Sequence, residues 1–266
     1  MSLELDLRDL ARDIATEAGE LARRRRAEGV RVAASKSTIA DIVTEADREV
    51  EALIRSRLAN ERPSDGFLGE ESGTAEGTSG VTWVVDPIDG TVNYASGMPS
   101  YAVSVAAVRE GEAVAGVVRV PMLDETFSAA RGDGARLDSA SGSTPLNVAT
   151  EFPAGALIGT GFGYDPRTHQ GDIETVQSVM PLARDVRRIG AAAIDLSYVA
   201  AGRLDAFFER GLKPWDLAAG GLLVEEAGGS VRELPADRFG RRMTIAGHAS
   251  LVGRIVDRIA GITSDE

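Results

Sequence analysis

One segment constrains this chain more than any other. Val81-Thr-Trp-Val-Val85 is almost wholly apolar and stops at Asp86-Pro87-Ile88-Asp89-Gly90-Thr91. A short run rich in β-branched and aromatic residues reads as a buried strand, so other layers must cover it. The strand delivers two acids, three residues apart, to its carboxyl end, the usual place for a site in an open α/β sheet. Gly90-Thr91 can present backbone N–H groups to a phosphate. The carbonyls of Pro87 and Ile88 can be left free for a cation. Taken alone, the segment fits a metal or phosphate site and also fits a structural turn.

Composition narrows the chemistry. The 266 residues contain no Cys and two His, His169 and His248. Disulfides, thiolate nucleophiles, Cys-ligated zinc and a three-His zinc site within one chain are therefore excluded. Any metal would be held by oxygen, which suits hard ions such as Mg²⁺, Mn²⁺ or Ca²⁺. Lys plus Arg is 29 and Asp plus Glu is 41, a net charge of −12, which argues against general nucleic-acid binding. No apolar run approaches the ~20 residues of a membrane span. The N-terminus carries acids throughout and does not read as a signal peptide, so a cytoplasmic location is expected.

Leu3, Leu7, Leu10, Ile14, Ala18 and Leu21 form the apolar stripe of a first helix. It ends in Arg23-Arg24-Arg25-Arg26, read as cations complementing the helix carbonyl end rather than as a polyanion site. Asp41-Ile-Val-Thr44-Glu-Ala-Asp47 opens a second helix with Ala46, Val50, Leu53, Ile54 and Leu58 as its stripe. Thr44 with Asp47 resembles a capping box, with Asp in place of Glu. A loop is expected over 73–80, a strand over 81–85 ending abruptly at Asp86, and a hairpin from 101–108 and 113–120. Residues 131–147 are rich in Gly, Ser and Asp. A boundary near 150 divides an N-terminal α+β half, 1–150, from a C-terminal α/β half, 151–266. The second half reads as strand 156–160, helix 173–182, strand 185–189, helix 191–201, strand 204–209 and helix 216–227. A short strand at Val231, a strand over 244–246 and a helix over 251–260 follow.

Three further acidic features stand out: Gly69-Glu70-Glu71, Pro214-Trp215-Asp216 and Asp47. Singly, they read as a solvated loop, an N-cap and a capping acid. Together, Gly69-Glu70-Glu71, Asp86-Pro87-Ile88-Asp89-Gly90-Thr91 and Trp215-Asp216 with Glu226-Ala227-Gly228-Gly229 resemble the inositol monophosphatase family. That family belongs to the lithium-sensitive, metal-dependent sugar-phosphatase superfamily. Asp41-Ile-Val-Thr-Glu-Ala-Asp47 fits its D-x-V-T-x-x-D pattern, and the resemblance runs from about Lys36 to Gly229. Thr160-Gly161-Phe162-Gly163-Tyr164 and Arg187-Arg188-Ile189-Gly190 support similarity to the bacterial members.

The resemblance implies a mixed α+β and α/β fold, a layered α–β–α–β–α sandwich with the site between the halves. It implies a phosphomonoesterase that hydrolyses inositol monophosphate by direct attack of a metal-activated water, with two to three Mg²⁺ ions. Glu70, Asp86 and the Ile88 carbonyl would hold the first ion. Asp86, Asp89 and Asp216 would hold the second, and Glu70 would help hold a weaker third. Thr91 and Asp47 would orient and activate the water, giving a catalytic set of Asp47, Thr91 and Glu70. Substrate binding falls to the Gly90 and Thr91 N–H groups, Asp89, Ala192, Glu209 and Asp216. Lys36 would help close a loop over the site. A homodimer and lithium sensitivity are implied on the same ground.

Other readings stand beside this one. The metal motif is equally at home with fructose 1,6-bisphosphate, histidinol phosphate or 3′-phosphoadenosine 5′-phosphate. A non-enzymatic regulatory partner of RNA machinery is a different class of function, against which the complete acid set counts. A Ca²⁺-binding structural protein lacks its EF-hand loop. His169 and His248 lie outside every motif. Met98-Pro99 and Tyr101 are expected to pack or to line the site mouth.

Overall fold

The computed structural model describes residues 2–30, 32–35 and 42–263. Lys36 and Asp41 lie outside the described residues. The first stripe becomes α1 (Leu3–Glu28), which buries Leu7, Ala11, Ile14, Ala18 and Ala22. Two short strands, β1 (Val32–Ser35) and β2 (Ile42–Thr44), pair antiparallel. The second stripe is α2 (Glu45–Glu61), and its N-terminus carries the expected capping box. Thr44 is the N-cap and accepts from the Asp47 N–H, while the Asp47 carboxylate accepts from the Thr44 N–H.

A large sheet follows: β3 (Gly66–Gly69), β4 (Gly73–Ala75), β5 (Val81–Asp89), then the short helix α3 (Thr91–Ala95), β6 (Ala102–Arg109), β7 (Glu112–Val120), β8 (Glu125–Ala130), β9 (Gly134–Ser139) and β10 (Gly142–Pro145). Its strand order is β10-β9-β8-β7-β6-β5-β3-β4. The β6–β7 hairpin is the expected one; Glu110 and Gly111 both take positive φ at its turn, 55° and 85°. One expectation needs correction. Residues 73–80 hold the edge strand β4, because Gly73–Ala75 can pair with β3. The Gly- and Ser-rich stretch 131–147 is mostly strand, its Gly residues serving tight turns within a meander.

The rest of the chain forms β11 (Ala156–Thr160), α4 (His169–Val179) with a final 3₁₀ turn to Leu182, β12 (Ala183–Arg187), α5 (Ala192–Ala200), β13 (Ala206–Arg210), α6 (Pro214–Glu226), β14 (Ser230–Leu234), β15 (Met243–Gly247) and α7 (Ala249–Thr263). The second sheet runs β12-β11-β13-β15-β14. β11 is parallel to both neighbours, and the β13, β15 and β14 pairings are antiparallel. Helix α4 begins at His169, four residues before the expected start at 173. Asp165 caps a preceding 3₁₀ turn that leads directly into it.

Strand alternation sorts the core into three apolar layers. Val103, Val105, Ala107, Ala115 and Val117 of the large sheet pack against α1 and α2. The opposite residues of the same strands, Ala102, Ala106, Val118 and Val120, join Leu196, Val199, Leu222 and Leu223 of α5 and α6. Beyond the second sheet, Ile158, Phe208 and Ile245 pack on Leu251, Val252 and Ile255 of α7. The result is the expected α–β–α–β–α sandwich. The α5/α6 layer is clamped tightly. A Cβ at Gly116 of β7 would lie 2.9 Å from the Ala219 Cα, and one at Gly220 would lie 2.7 Å from the Leu196 Cβ. Small residues here allow helix backbone to approach strand and helix closely.

Candidate active site

The apolar strand does not stop at Asp86; β5 runs on through Asp89. Its pairing with β6 slips at the acids. Asp86 faces Ser104 and Asp89 faces Ala102, so three steps on β5 oppose two on β6. This is a bulge, and Pro87, which has no N–H to donate, sits inside it. In a regular strand, residues three apart point to opposite faces. The extra residue returns Asp89 to the side of Asp86, and both carboxyls line one cavity of about 480 Å³. Both are deeply buried, at 2% and 8% exposure.

Three devices hold the cavity together around these acids. First, the Ser104 hydroxyl, across from Asp86, donates to the Trp215 carbonyl at 3.1 Å. That pins the first turn of α6 and sets Asp216 at the cavity wall. Asp216 is not the N-cap that its position suggested. Helix α6 starts at Pro214, a residue pre-set for a first turn, and the Asp216 carboxylate reaches back to the Lys213 N–H at 2.7 Å. Second, the N-terminus of α5 meets Asp89, and the Ala193 N–H donates to the Asp89 Oδ2 at 2.7 Å. Third, Asn93 of α3 donates to the Ser100 carbonyl at 2.8 Å and the Ile189 carbonyl at 2.9 Å. It thereby ties the loop before α5 to the large-sheet side.

Asp47 and Thr91 also meet. The Thr91 Oγ1 lies 3.2 Å from the Asp47 Oδ1 and 3.1 Å from the Ile88 carbonyl, so its one hydrogen is shared between two acceptors. The other Asp47 oxygen is held by the Thr44 N–H at 2.8 Å and by the Thr44 hydroxyl. Burial pushes the Asp47 carboxyl above the usual range, against the pull of these hydrogen bonds. A carboxylate in that state, joined to a hydroxyl, is suited to receive a proton.

Glu70 is placed by a residue that the sequence reading missed. Glu51 of α2 is 3% exposed, and its carboxylate accepts from the Glu71 N–H at 2.9 Å and the Ser72 N–H at 2.8 Å. Gly69 leaves room for it; a Cβ there would lie 2.4 Å from the Glu51 Oε2. The signal was present in the sequence. Glu51 lies four residues after Asp47 and three before Ile54, on the inward face of the stripe, where an acid is out of place unless it is bonded.

Electrostatics mark the cavity. Burial, then the neighbouring charge of Glu70, holds Asp86 well above the usual carboxylate range. Burial, then the charge of Glu70, raises Asp89 to about 7, and burial, then the charge of Asp89, raises Asp216 to about 8. Glu209 is raised to about 8 by burial and by Asp216, while Arg188 opposes the shift. Carboxyls this crowded stay neutral unless cationic charge compensates them. Hard oxygen donors of this kind suit Mg²⁺. Among the described residues no three Asp, Glu or His side chains are already gathered into a group that could hold a metal ion. Asp86, Asp89 and Asp216 each spend an oxygen on a backbone N–H instead. Ala192 and Glu209 line the same cavity, and Gly90 stands at its floor in a left-handed conformation, φ 89°.

The family model described as the Inositol monophosphatase family matches residues 5–258. The chain belongs to the inositol monophosphatase family. An inositol-1-monophosphatase of Mycobacterium bovis is 46% identical over 240 residues, covering 85% of this chain and 83% of the relative. The Nus factor SuhB of Escherichia coli is 43% identical over 206 residues, covering 76% and 75%. The structure of Mycobacterium tuberculosis SuhB superposes with a TM-score of 0.83 at 42% identity, covering 96% of each chain. Family membership makes this chain a phosphatase. Asp47, Glu70, Asp86, Ile88, Asp89, Gly90, Thr91, Ala192, Glu209 and Asp216 are the residues to test for roles in it.

Other sequence features lie elsewhere. Tyr101 is fully buried and packs edge-on against Tyr94, with ring centroids 4.9 Å apart, whereas Met98 is exposed; neither lines the cavity. His169 bonds the Gly163 carbonyl, and His248 bonds the Ser250 hydroxyl. In the arginine run at the end of α1, Arg23 pairs with Glu20, Arg25 with Glu28 and Glu49, and Arg26 lies over the Tyr101 ring. Among the described residues no helix is long and apolar enough to cross a membrane.

Proposed function

We propose that this chain hydrolyses inositol monophosphate to inositol and phosphate, by direct in-line attack of water. The observation that carries this reading is the bulge that turns Asp86 and Asp89 into one cavity beside Asp216, in a chain of this family. Glu70, Asp86, the Ile88 carbonyl, Asp89 and Asp216 would hold two to three Mg²⁺ ions. When bound, such ions acidify water, neutralise the phosphate oxygens and stabilise the leaving alkoxide.

The chain's own groups supply the rest. Thr91 faces the incoming water with a lone pair while its hydrogen points to Asp47. The water can then pass a proton to the Thr91 Oγ1 as the Thr91 hydrogen moves to the Asp47 Oδ1. Thr44 keeps Asp47 from turning away. The N–H groups of Gly90 and Thr91 are the donors assigned to the phosphate. Glu209, raised to about 8, and the backbone at Ala192 face the polyol side of the cavity. Phosphate monoester hydrolysis is extremely slow without such help.

The test is phosphate release with and without Mg²⁺, in wild type and Asp86→Asn. The substrates are inositol 1-phosphate, fructose 1,6-bisphosphate, histidinol phosphate and 3′-phosphoadenosine 5′-phosphate. Inositol 1-phosphate is expected to be the best of the four, with activity lost in the variant. Activity unchanged by the substitution would refute the assignment. A second reading, a regulatory role, is favoured by the E. coli relative called a Nus factor. Wild type inactive on the whole panel would support it. Lithium inhibition, a homodimer checked by light scattering, a cytoplasmic location and a two-half organisation about residue 150 complete the proposal.

A further inference from the structure

Strand β11 leads into the site through Gly159, Thr160 and Gly161. It lies parallel to β13, with Gly159 beside Phe207 and Thr160 beside Phe208, which brings Gly161 next to Glu209. Two residues apart, the glycines present the same face. A Cβ at Gly159 would lie 2.6 Å from the Asp195 Oδ1, and one at Gly161 would lie 1.9 Å from the Glu209 Oε2. The glycines are thus needed for space, and a carboxyl fills the place of each missing side chain. By the rise of a strand, the two glycine positions lie about 7 Å apart, a gap that two hydrogen-bonded waters in a row can span.

Asp195 has no part in the mechanism above. It is in the first turn of α5 and is 1% exposed, and its Oδ1 is buried with no hydrogen-bond partner. A buried polar atom in that state calls for a partner. The charged groups acting on it are Glu209 from β13, Asp89 from β5 and Arg188 from the loop before α5. Burial and the two acids favour a carboxyl that keeps its proton and can donate it.

We propose that Asp195 is a positioning residue for substrate recognition, joined to Glu209 through buried water so that Glu209 stays aimed at the hydroxyls of the polyol. This rests on the reading of Glu209 as the group that binds those hydroxyls. The link acts on the sugar side of the cavity and not on the phosphate side, so it controls which phosphate ester is preferred.

The experiment compares inositol 1-phosphate with p-nitrophenyl phosphate, an ester with no ring hydroxyls, in wild type, Asp195→Leu and Asp195→Asn. Leu is close to Asp in shape and removes both polar atoms, whereas Asn keeps a donor and an acceptor. In Asp195→Leu the ratio of kcat/KM for inositol 1-phosphate over p-nitrophenyl phosphate is expected to fall about tenfold, chiefly through KM. In Asp195→Asn it should stay within about threefold of wild type. In Glu209→Gln, adding Asp195→Leu should lower the ratio no further. An unchanged ratio in Asp195→Leu, an equal loss on both esters, or an Asn variant as poor as Leu would each overturn the proposal. If Asp195→Leu does not fold, Asp195→Ser, small and polar, is held to the same change in ratio. A wild type inactive on both esters would instead sink the functional reading on which this one rests.

Discussion

Replacing Asp89 by Asn should stabilise the protein while destroying its activity. Asp89 is buried, and burial together with neighbouring acids raises its carboxyl from 3.8 to about 7. A group whose folded value is raised binds its proton more tightly folded than unfolded. Below pH 3.8 it is protonated in both states and has no effect. As pH rises from 3.8 to 7, the unfolded chain releases the proton first and stability falls. Above 7 the loss is constant. At about 1.4 kcal/mol per pH unit the plateau is on the order of 4 kcal/mol. Asn keeps an acceptor for the Ala193 N–H, so most of this should be recovered, roughly 2–4 kcal/mol. For a chain of this size that corresponds to about 5–10 °C in Tm. The assay is thermal unfolding in EDTA, wild type against Asp89→Asn, from pH 4.5 to 8.5. The difference should be about a quarter of its full size at pH 4.5 and reach its plateau near pH 8. Added Mg²⁺ should raise the Tm of wild type more than that of the variant. A difference that is absent at pH 8, or as large at pH 4.5 as at pH 8, would refute the reasoning, since charge would then not be its source.

Glu51→Ala strips the acceptor from two backbone N–H groups beside Glu70 and should cost about 2–3 kcal/mol, read by urea unfolding, with a weaker response to Mg²⁺. Gly161→Ala forces its Cβ onto the Glu209 carboxylate and should raise KM for inositol 1-phosphate about tenfold or more, measured by phosphate release. Gly116→Ala pushes α6 away at Ala219, one turn beyond Asp216. A shift near 1 Å should lower kcat by up to about 100-fold while circular dichroism stays native. Because Asp89 titrates near 7 and Asp216 near 8, Mg²⁺ affinity should weaken as pH falls below 8. Calorimetry in buffers of different ionisation heat should detect protons released on binding.

Much of this was legible in the residues. The stripe of α1, the Thr44–Asp47 capping box and the β6–β7 hairpin follow local rules of spacing and turn chemistry. The acids of the cavity stood out as a set only through resemblance, because each alone fits an ordinary cap, turn or loop. What was hidden depends on partners distant in sequence. Strand β4 and the meander after β8 form because a sheet edge is available, in segments whose composition favours loops. Glu51 binds a loop 20 residues away, and Ser104 binds a carbonyl 111 residues away. Gly161 is needed because of Glu209, a neighbour that only the β11–β13 pairing reveals.

The slip in β5 makes the site a matter of parity. Asp86 and Asp89 are an odd number of steps apart, which in a regular strand would set them on opposite faces, and one uncounted residue makes the step count even. A substitution at Pro87 can be absorbed by degrees. Closing the bulge without removing a residue cannot, because three regular steps would turn Asp89 toward the apolar layer beneath α1 and α2. What the site requires between these two acids is therefore the pairing slip itself, one residue of β5 that β6 does not count.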